Sequence, residues 1–443
     1  MNDSDPKSRT GPTIIPRAEH GLSRSNVSDN ALKVLYRLKN AGFAAFIVGG
    51  GVRDLLLGRH PKDFDVVTDA HPEQIKKLFR NARLIGRRFR LAHVQFGRDV
   101  VEVATFRAAS NGADDARAHS DSGRILRDNV YGTIEEDIWR RDFTVNSLYY
   151  NIADFSVWDF TTGLDDIRSR TLRLIGDPET RYREDPVRML RAVRFAAKLG
   201  FELAPETARP VFELGRLLRD VPPARLFDEV LKLFQSGHAV RSFDLLETHD
   251  LLGYLFPSTA AVLAGPHGAG GRDFVQQGLA NTDRRIADDK PVTPTFLYAV
   301  LLWPAIKELA DKLLPEAGGD EVEAMSEASH RVVTEQVVRT SLPKRFSIPM
   351  KEMLAMQRRF EYRQGARAAR LLEHKRFRAA YDFLLLRARC GEVEQELADW
   401  WTEVQGLDPD AQREAFGAAR SKVKRRRGGR RRGGRGHARD AAG

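Results

Sequence analysis

Two aspartates one residue apart, Asp63 and Asp65, have the clearest capacity for chemistry in this sequence. They stand in the segment DFDVV, whose period of two predicts a strand with both carboxylates on one face, about 6.6 Å apart along it. Carboxylate oxygens and substrate phosphates are the ligands that Mg²⁺ commonly takes in proteins. Two ions about 3.5–4 Å apart could share this pair and hold the attacking and leaving oxygens of a phosphoryl displacement.

A third carboxylate is available from Glu102, the polar residue between Val101 and Val103 in another alternating segment. If that strand lies beside DFDVV, three carboxylates converge on one face of a sheet. Two acids on an exposed strand face are common in proteins, so the pair alone is a weak signal. The sequence predicts a metal site at Asp63, Asp65 and Glu102, with an exposed strand face as the alternative.

Three consecutive glycines, Gly49 to Gly51, precede the aspartates at the start of a short helical segment. Backbone N–H groups at such a start can bind a triphosphate, through Gly49 and Gly50, and Arg53 can neutralise its charge. The segment has neither the Gly-Lys-Ser/Thr of a P-loop nor the spacing of a dinucleotide fingerprint. A tight turn is the alternative, but the succession of glycines, arginine and D-x-D favours a nucleotide site.

The segment RRDFTVNS supplies a second polar face. We predict that it continues a helix that begins at Thr133, whose capping box with Glu136 marks the start. Arg141 and Asp142 could meet a triphosphate and a ribose hydroxyl, with Asn146 one turn further on. For this segment in isolation, a surface salt-bridge face is the preferred alternative.

The segment REDPVRMLRAVRF places Asp185, Arg188, Arg191 and Arg194 three residues apart on one side of a predicted helix. Like charges at this spacing repel each other, so a solvated face gains little from them. A nucleobase edge would explain them better, because a carboxylate accepts from an amino group while a guanidinium donates to a ring nitrogen. The pattern therefore predicts a base-reading helix.

The elements that must position these residues change character near Tyr182. Before it, short alternating strands and helices predict a mixed α/β domain at about 25–180, with a polar loop over roughly 108–127. After it, helical periodicity predicts a helical body at about 181–418, interrupted by loop signals near LAGPHGAGGRD. FLYAVLLWPAI is too short to span a bilayer, which takes about 20 residues, and is expected to be a buried helix.

The distribution of charge along the chain indicates a protein that binds a polyanion. The 443 residues carry a net charge of +11, and residues 420–443 hold eleven Arg or Lys against one Asp. Such a tail is expected to be disordered and to bind a polyanion such as nucleic acid by counterion release. Cys390 is the single cysteine, which excludes disulfides within the chain and fits a cytoplasmic compartment. Neither a secretory signal nor a transmembrane segment is predicted.

The motifs GGGVRD…DFD, RRDFTVNS and EDPVRMLRAVRF, in this order, resemble the template-independent nucleotidyltransferases that include CCA-adding tRNA enzymes and bacterial poly(A) polymerases. Three segments resemble the poly(A) branch. LIGRRFRLAHVQFG stands in place of the His-Gly-Thr-Val type of strand associated with CCA-adding relatives. The N-terminal IIPRAEHGLSRSNVSDNALKVLYRL and the C-terminal LLEHKRFRAAYDFLLLRA, with the Arg-rich tail, complete the likeness, which covers roughly 12–390.

The resemblance implies an α+β fold: a small polymerase-β-like head of mixed sheet and helices, then an all-helical neck and body and a disordered basic tail. The expected boundaries are a flexible segment at 1–24, the head at 25–180, the neck at 181–240, the body at 241–418 and the tail at 419–443. The body and the tail are expected to hold RNA. The tail arginines proposed for this are Arg425, Arg426, Arg427, Arg430, Arg431 and Arg432.

Carried over by motif, the resemblance gives each predicted residue a role. Asp63 and Asp65 would hold two Mg²⁺ ions, and Asp142 would be the third active-site aspartate, whereas the strand argument favours Glu102 as the third metal ligand. The residues expected to contact the nucleotide are Gly49, Gly50, Arg53, Arg141, Asn146, Asp185, Arg188, Arg191 and Arg194. PPARLFDEVLKLF resembles a motif that braces the base-reading helix through Arg225 and Glu229, with an ordinary helix salt bridge as the alternative.

The expected activity is addition of AMP from ATP to RNA 3′ ends, with release of pyrophosphate and no nucleic-acid template. The resemblance further implies a link to RNA decay and its protein machinery. A CCA-adding enzyme is the nearest alternative, because it shares the site and differs in base choice. A non-catalytic RNA-binding protein is the alternative from another class, although every polar residue of the nucleotide motifs is present.

Overall fold

The structure, a computed structural model, describes residues 11–86, 90–108, 130–266 and 268–417. Two compact units divide the chain, at residues 1–351 and 352–443. The strands are β1 Thr13–Ile15, β2 Ala45–Val48, β3 Asp65–Thr68, β4 Ala82–Ile85, β5 Leu91–Phe96, β6 Asp99–Thr105, β7 Leu148–Asn151, β8 Val157–Asp159, β9 Thr171–Leu172 and β10 Glu202–Leu203. Most of the predicted polar loop lies outside the described residues, and so does the whole basic tail.

The helices are α1 Asp29–Asn40, α2 Gly50–Leu56, α3 Pro72–Leu78, α4 Ile134–Ile138, α5 Gly163–Arg168, α6 Pro178–Glu184, α7 Val187–Leu199, α8 Pro205–Leu214, α9 Pro223–Phe234, α10 Ala239–Thr248, α11 Leu252–Leu255, α12 Pro257–Leu263, α13 Gly268–Ala287, α14 Pro294–Leu313, α15 Glu321–Thr340, α16 Lys344–Ala355, α17 Gly365–Leu372, α18 Phe377–Arg389, α19 Gln395–Gly406 and α20 Pro409–Ala415. The strands precede α6 apart from β10, which confirms the predicted α+β class with a helical remainder. The predicted capping box of Thr133 and Glu136 is present at α4.

Eight of the strands form one sheet in the order β1-β8-β7-β2-β3-β6-β5-β4. All neighbours are antiparallel except β3 and β6, which are parallel. The pairing confirms that the strand of Glu102 lies directly beside the strand of Asp65. The two residues are register partners, so their side chains lie on the same face.

One row of register partners crosses the whole sheet on this face, and we call it the crossing row. Its members are, in strand order, Ile14, Trp158, Tyr149, Val48, Asp65, Glu102, His93 and Arg83. Tyr149 and Val48 are buried in an apolar cluster with Phe46 and Ile138. From Asp65 onward every member is ionisable. Within this row, the apolar side chains therefore end at Val48 of β2 and the ionisable ones begin at Asp65 of β3.

The predicted extended strand DFDVV is shorter than expected. Strand β3 begins at Asp65, so Asp63 precedes the strand instead of alternating within it. The reason lies in its partner β2, which ends opposite Asp65 because Gly49 turns away with a φ of 76°. Asp63 consequently has no opposite residue in β2.

The predicted long helix through RRDFTVNS is also wrong. Helix α4 ends at Ile138, a short 3₁₀ turn covers Thr144–Asn146, and β7 follows. Strand β7 lies between β2 and β8 in the middle of the sheet, where Tyr149 and Tyr150 are buried. Burial of aromatic side chains in a central strand outweighs the weak helical preference of this segment.

The described chain after α6 is mainly helical, as the sequence predicted. The apolar segment FLYAVLLWPAI lies in α14 and is buried, as expected. The loop predicted near LAGPHGAGGRD is wrong from residue 268 onward, where α13 begins. A Cβ on Gly271 would lie 3.1 Å from atoms of Leu263 and Pro304, so this glycine permits close helix packing instead of marking a loop. Within the described ranges, no helix is long and apolar enough to cross a membrane.

The second unit, residues 352–443, has an aromatic core of its own. Trp401 is fully buried and lies with its ring centroid 5.2 Å from Phe360 and 5.7 Å from Phe377. The Trp401 indole N–H donates to the Phe360 carbonyl over 2.8 Å. These contacts join α18 and α19 to the turn at Gln357–Glu361.

Candidate active site

The carboxylates of the sheet lie together without a cation among the described residues. Asp65 is open to solvent, and neither its side chain nor that of Asp63 makes a hydrogen bond or ion pair within the described ranges. Surrounding protein, and then the charges of Glu102 and Asp63, raise the pKa of Asp65, against the attraction of Arg141. The cluster is therefore a concentration of negative charge that a bound cation would relieve.

The glycine turn packs directly on the aspartate segment. Gly49 has a φ of 76°, and a Cβ on it would lie 3.8 Å from Asp65 Oδ2. A Cβ on Gly51 would lie 3.2 Å from the ring of Phe64 and 3.6 Å from the Asp63 carbonyl. Glycine is thus required both for the backbone conformation at residue 49 and for the close approach at residue 51.

Arg53 lies beneath this turn and is almost completely buried, with 2% of its side chain exposed. Its guanidinium donates to Asp54 Oδ1 over 2.7 and 2.8 Å and to the amide oxygen of Asn146. Burial lowers the pKa of Arg53. The structure therefore places Arg53 and Asn146 in the same site, as predicted, and shows that their side chains bond to each other. Their contact with a nucleotide stays a prediction.

Arg141 is held in a network that the sequence prediction missed. It donates to Asp137 Oδ2 over 2.8 Å and to the Tyr149 hydroxyl over 2.8 Å, and Tyr149 donates to Asp137 over 2.9 Å. Burial raises the pKa of Tyr149, so its hydroxyl remains a donor. Asp137 was visible in the sequence as the residue four before Arg141; Tyr149 gave no signal.

Asp142 differs from Asp63 and Asp65 because its side chain has a cationic partner. Its Oδ2 accepts from Arg191 Nε over 2.6 Å, and its carbonyl accepts from Ile175 over 2.8 Å. Asp142 thus joins the segment after α4 to helix α7. Glu102, by contrast, is adjacent to Asp65 in the sheet and contributes to its raised pKa.

Two charged residues of the predicted base-reading segment, Asp185 and Arg188, form ion pairs with nearby side chains. Asp185 accepts from Arg225 over 2.7 Å. Arg188 donates to Glu184 over 2.8 Å and to the Arg181 carbonyl over 2.6 Å. These pairs hold the polar side chains of α6 and α7 in fixed positions, and Glu184 and Arg181 were not among the predicted residues.

Arg225 bonds across to Asp185, which fits the predicted bracing of the base-reading helix. Glu229 pairs instead with Lys232 over 2.8 Å. Arg194, the last of the predicted series, is largely buried, and its pKa is lowered by burial and then by the charge of Arg191. Its Nε makes no hydrogen bond within the described part of the chain.

Comparison with known proteins identifies the family of this chain. Residues 45–173 match a family model described as the poly A polymerase head domain. Residues 200–263 match a probable RNA and SrmB-binding site of polymerase A, and 317–433 match its arginine-rich C-terminus. The chain is 51% identical to poly(A) polymerase I of Escherichia coli O6:H1 over 407 residues, covering 90% of this chain and 87% of that protein. Identity to poly(A) polymerase I of Salmonella typhi is 50% over 406 residues, with the same coverage.

The chain belongs to the bacterial poly(A) polymerase I family. CCA-adding enzymes are more distant: that of Lactobacillus helveticus is 36% identical over 215 residues, 48% of this chain and 52% of that enzyme. Poly(A) polymerase membership makes the chain a nucleotidyltransferase, and the high identity supports transfer of adenylate to RNA. The branch expected from the sequence is confirmed.

Solved structures agree on the fold of this poly(A) polymerase. A structure titled "Structure of tRNA-processing enzyme complex 3" matches with a TM-score of 0.59, at 20% identity, covering 86% of this chain and 94% of that one. A CCA-adding enzyme complex with ATP matches with a TM-score of 0.57, at 18% identity, covering 90% and 88%. At these identities the likeness concerns the fold alone.

The donor set of the sheet fits a hard divalent cation. Within the described ranges, no three or more His, Cys, Asp or Glu side chains form a ready-made metal site. Asp63 and Asp65 nevertheless supply two carboxylates without a partner in the described part of the chain, and the pKa of Asp65 is raised. Glu102, half exposed, lies 3.3 Å from His93 Nε2. A rotation of Glu102 toward Asp65 would complete three oxygen donors.

Proposed function

We propose that this poly(A) polymerase adds AMP from ATP to RNA 3′ ends in the cytoplasm by two-metal phosphoryl transfer. The observation that carries the proposal is the carboxylate cluster of Asp63, Asp65 and Glu102 beside the glycine turn, in which Asp63 and Asp65 have no hydrogen bond or ion pair within the described residues. Two Mg²⁺ ions bound there would activate the attacking 3′ hydroxyl and neutralise the charge on the leaving pyrophosphate. Glu102 is the better third ligand, because it is the register partner of Asp65 in the sheet, whereas Asp142 accepts a hydrogen bond from Arg191 of α7.

The chain's own residues would position the substrates. The backbone of Gly49 and Gly50 would bind the triphosphate, with the buried Arg53 keeping the turn in place through Asn146. Arg141, whose position is set by Asp137 and Tyr149, would limit the repulsion among the carboxylates. Asp142 and Arg191 would be available to a ribose hydroxyl or phosphate at the junction of sheet and neck.

Base choice would depend on Asp185 and Arg188. Their partners Arg225 and Glu184 fix both side chains before the nucleotide binds. A pre-positioned acceptor and donor select a base without a template, because ordering them costs nothing further at binding. Arg191 and Arg194 lie further along the same helix and would support the pair. By the same family likeness, the product would enter RNA decay.

The test is extension of a labelled, unstructured RNA with Mg²⁺ and each nucleoside triphosphate separately. We expect long ladders with ATP alone. Two or three additions to a tRNA that lacks its CCA end, in the presence of CTP and ATP, with no ladder on the unstructured RNA, would identify a CCA-adding enzyme instead. Binding of RNA without any extension would favour a non-catalytic RNA-binding protein.

A further inference from the structure

The crossing row continues past the catalytic carboxylates to two residues that the proposed reaction does not use. His93 on β5 is the register partner of Glu102, and Arg83 on β4 is the register partner of His93. Arg83 is exposed and makes no hydrogen bond or ion pair within the described residues. His93 stands in the segment LIGRRFRLAHVQFG, in which this chain differs from the CCA-adding pattern, and Arg83 immediately precedes that segment.

The order of the strands indicates the side of Asp65 from which the attacking 3′ hydroxyl would approach. In an in-line displacement the attacking and leaving oxygens lie on opposite sides of the reacting phosphorus. The glycine turn follows β2, on one side of Asp65, and the proposed function places the triphosphate there. The leaving pyrophosphate is therefore on the β2 side. The attacking 3′ hydroxyl must arrive from the other side, over Glu102 and the strands beyond it.

We infer that the β4–β5 end of the crossing row is the binding site for the 3′ end of the acceptor RNA. Arg83 pairs with one of the last two phosphodiesters, and His93 lies between that contact and Glu102. The inference rests on the proposed function and assigns its acceptor side. Three strand spacings of about 4.8 Å place the backbone of Arg83 about 14 Å from that of Asp65. A 3′-terminal nucleotide can span this separation together with the arginine side chain.

The chemistry of Arg83 suits a phosphate better than a base. An exposed guanidinium is always charged and binds phosphate oxygens in a bidentate manner. Phosphate contacts position a nucleic acid without reading its sequence. A polymerase that extends its own growing product requires such a contact, because the acceptor end changes identity after the first addition.

Arg83→Ala tests the site, with Arg98→Ala as its matched control. Arg98 is likewise exposed and without a hydrogen bond or ion pair in the described ranges, but lies in the turn at the far end of β5. We expect Arg83→Ala to raise the KM for RNA about tenfold, the effect of losing one charge-assisted contact. The KM for ATP and the Tm should stay unchanged, and Arg83→Lys should recover most of the loss. The salt slope of RNA binding should become shallower by about 0.7, the value for one phosphate of a single strand.

A neutral linkage locates the contact on the RNA. Replacing the last two phosphodiesters of the acceptor by methylphosphonates should raise the KM of the wild type but not further that of Arg83→Ala, because both changes remove the same interaction. Additive losses, or equal losses in Arg83→Ala and Arg98→Ala, would overturn the site. Wild-type extension of unmodified RNA by ATP is measured in parallel. Its absence would refute the proposed function itself, whereas extension with an unaffected Arg83→Ala refutes only the acceptor site.

Discussion

Two regions of the first unit carry clustered charges and treat them in opposite ways. On the sheet, Asp63 and Asp65 have no cationic partner within the described residues, and the pKa of Asp65 is raised. On the neck, the two residues proposed to read the base have counterparts: Asp185 pairs with Arg225, and Arg188 with Glu184. The sheet is therefore an electrostatically strained site, and the neck is a neutralised one.

The difference indicates two kinds of substrate contact. Unpaired carboxylates lose repulsion when a cation binds, so their interaction energy becomes available only with the metal and the triphosphate. Paired neck charges are already in position, and under the proposed function a base would use their remaining hydrogen-bonding groups. Changes on the sheet should consequently affect the rate of chemistry, while changes on the neck should affect base selection.

The largest effect is expected from Asp63→Asn and Asp65→Asn. Each should lower the single-turnover rate of AMP addition by about 10³-fold or more, because the metals contribute several kcal/mol of charge stabilisation. RNA affinity should be unchanged, since neither residue contacts the acceptor backbone in the proposed site. Asp99→Asn, an exposed change on β6, is the matched control and should keep full activity. Retained activity in Asp65→Asn would refute the metal assignment.

A smaller effect is expected on the neck. Asp185→Ala should lower the preference for ATP over CTP about 5–150-fold, the range for one base-edge contact of 1–3 kcal/mol. Arg225→Ala should lower it less, because it removes only the brace of Asp185. Arg183→Ala, which breaks an exposed pair with Glu179 at 4.0 Å, should leave selection unaltered. The measurement is kcat/KM for each nucleotide. An equal loss for ATP and CTP in Asp185→Ala would contradict a base-reading role.

The sequence predicted the sheet site better than its surroundings, for a physical reason. Alternation identified β3 and β6, and their pairing placed Glu102 beside Asp65 as expected. The network of Arg141, Asp137 and Tyr149 was not predictable, because Tyr149 reaches it only through the pairing of β7 with β2. RRDFTVNS and the residues that follow it were interpreted as one helix, since local propensity does not report the burial of Tyr149 and Tyr150 in a central strand.

In the neck, too, the sequence predicted the polar residues but not the side chains with which they pair. The spacing of Asp185 and Arg188 identified a polar helix face, and the motif suggested a brace at Arg225. The actual partner of Asp185 is 40 residues away along the chain, and that contact exists only once α7 and α9 are packed. Glu184 was visible only as the residue three after Arg181 and four before Arg188, and its bond to Arg188 depends on the turn between α6 and α7.

The basic tail gives a prediction about RNA affinity alone. Deleting residues 420–443 removes eleven Arg or Lys and one Asp. RNA binding should weaken about tenfold or more at low salt, and its salt dependence should become shallower, because fewer counterions are released. The choice of ATP over CTP should not change. A chain with residues 420–443 retained but their arginines replaced by glutamine separates charge from length, and an unchanged salt slope would remove the tail from RNA binding.

The smallest expected effect is a change in thermal stability, and it distinguishes the two regions most directly. The folded state binds a proton at Asp65 more tightly than the unfolded state does, so stability falls as the pH rises from about 3.9 through the raised pKa of Asp65. Asp65→Asn removes this penalty. Its Tm in EDTA at neutral pH should exceed that of the wild type by a few degrees, and the difference should vanish as the pH falls below about 3.9.

Asp142→Asn is the counterpart from the paired side, since it leaves Arg191 without its partner and should lower the Tm. Mg²⁺ should stabilise the wild type more than Asp65→Asn, because only the wild type gains relief from repulsion by binding the cation. A lower Tm for Asp65→Asn at neutral pH would mean that the folded chain already stabilises this carboxylate. The contrast between a strained sheet and a neutralised neck would then be lost, even if the variant were inactive.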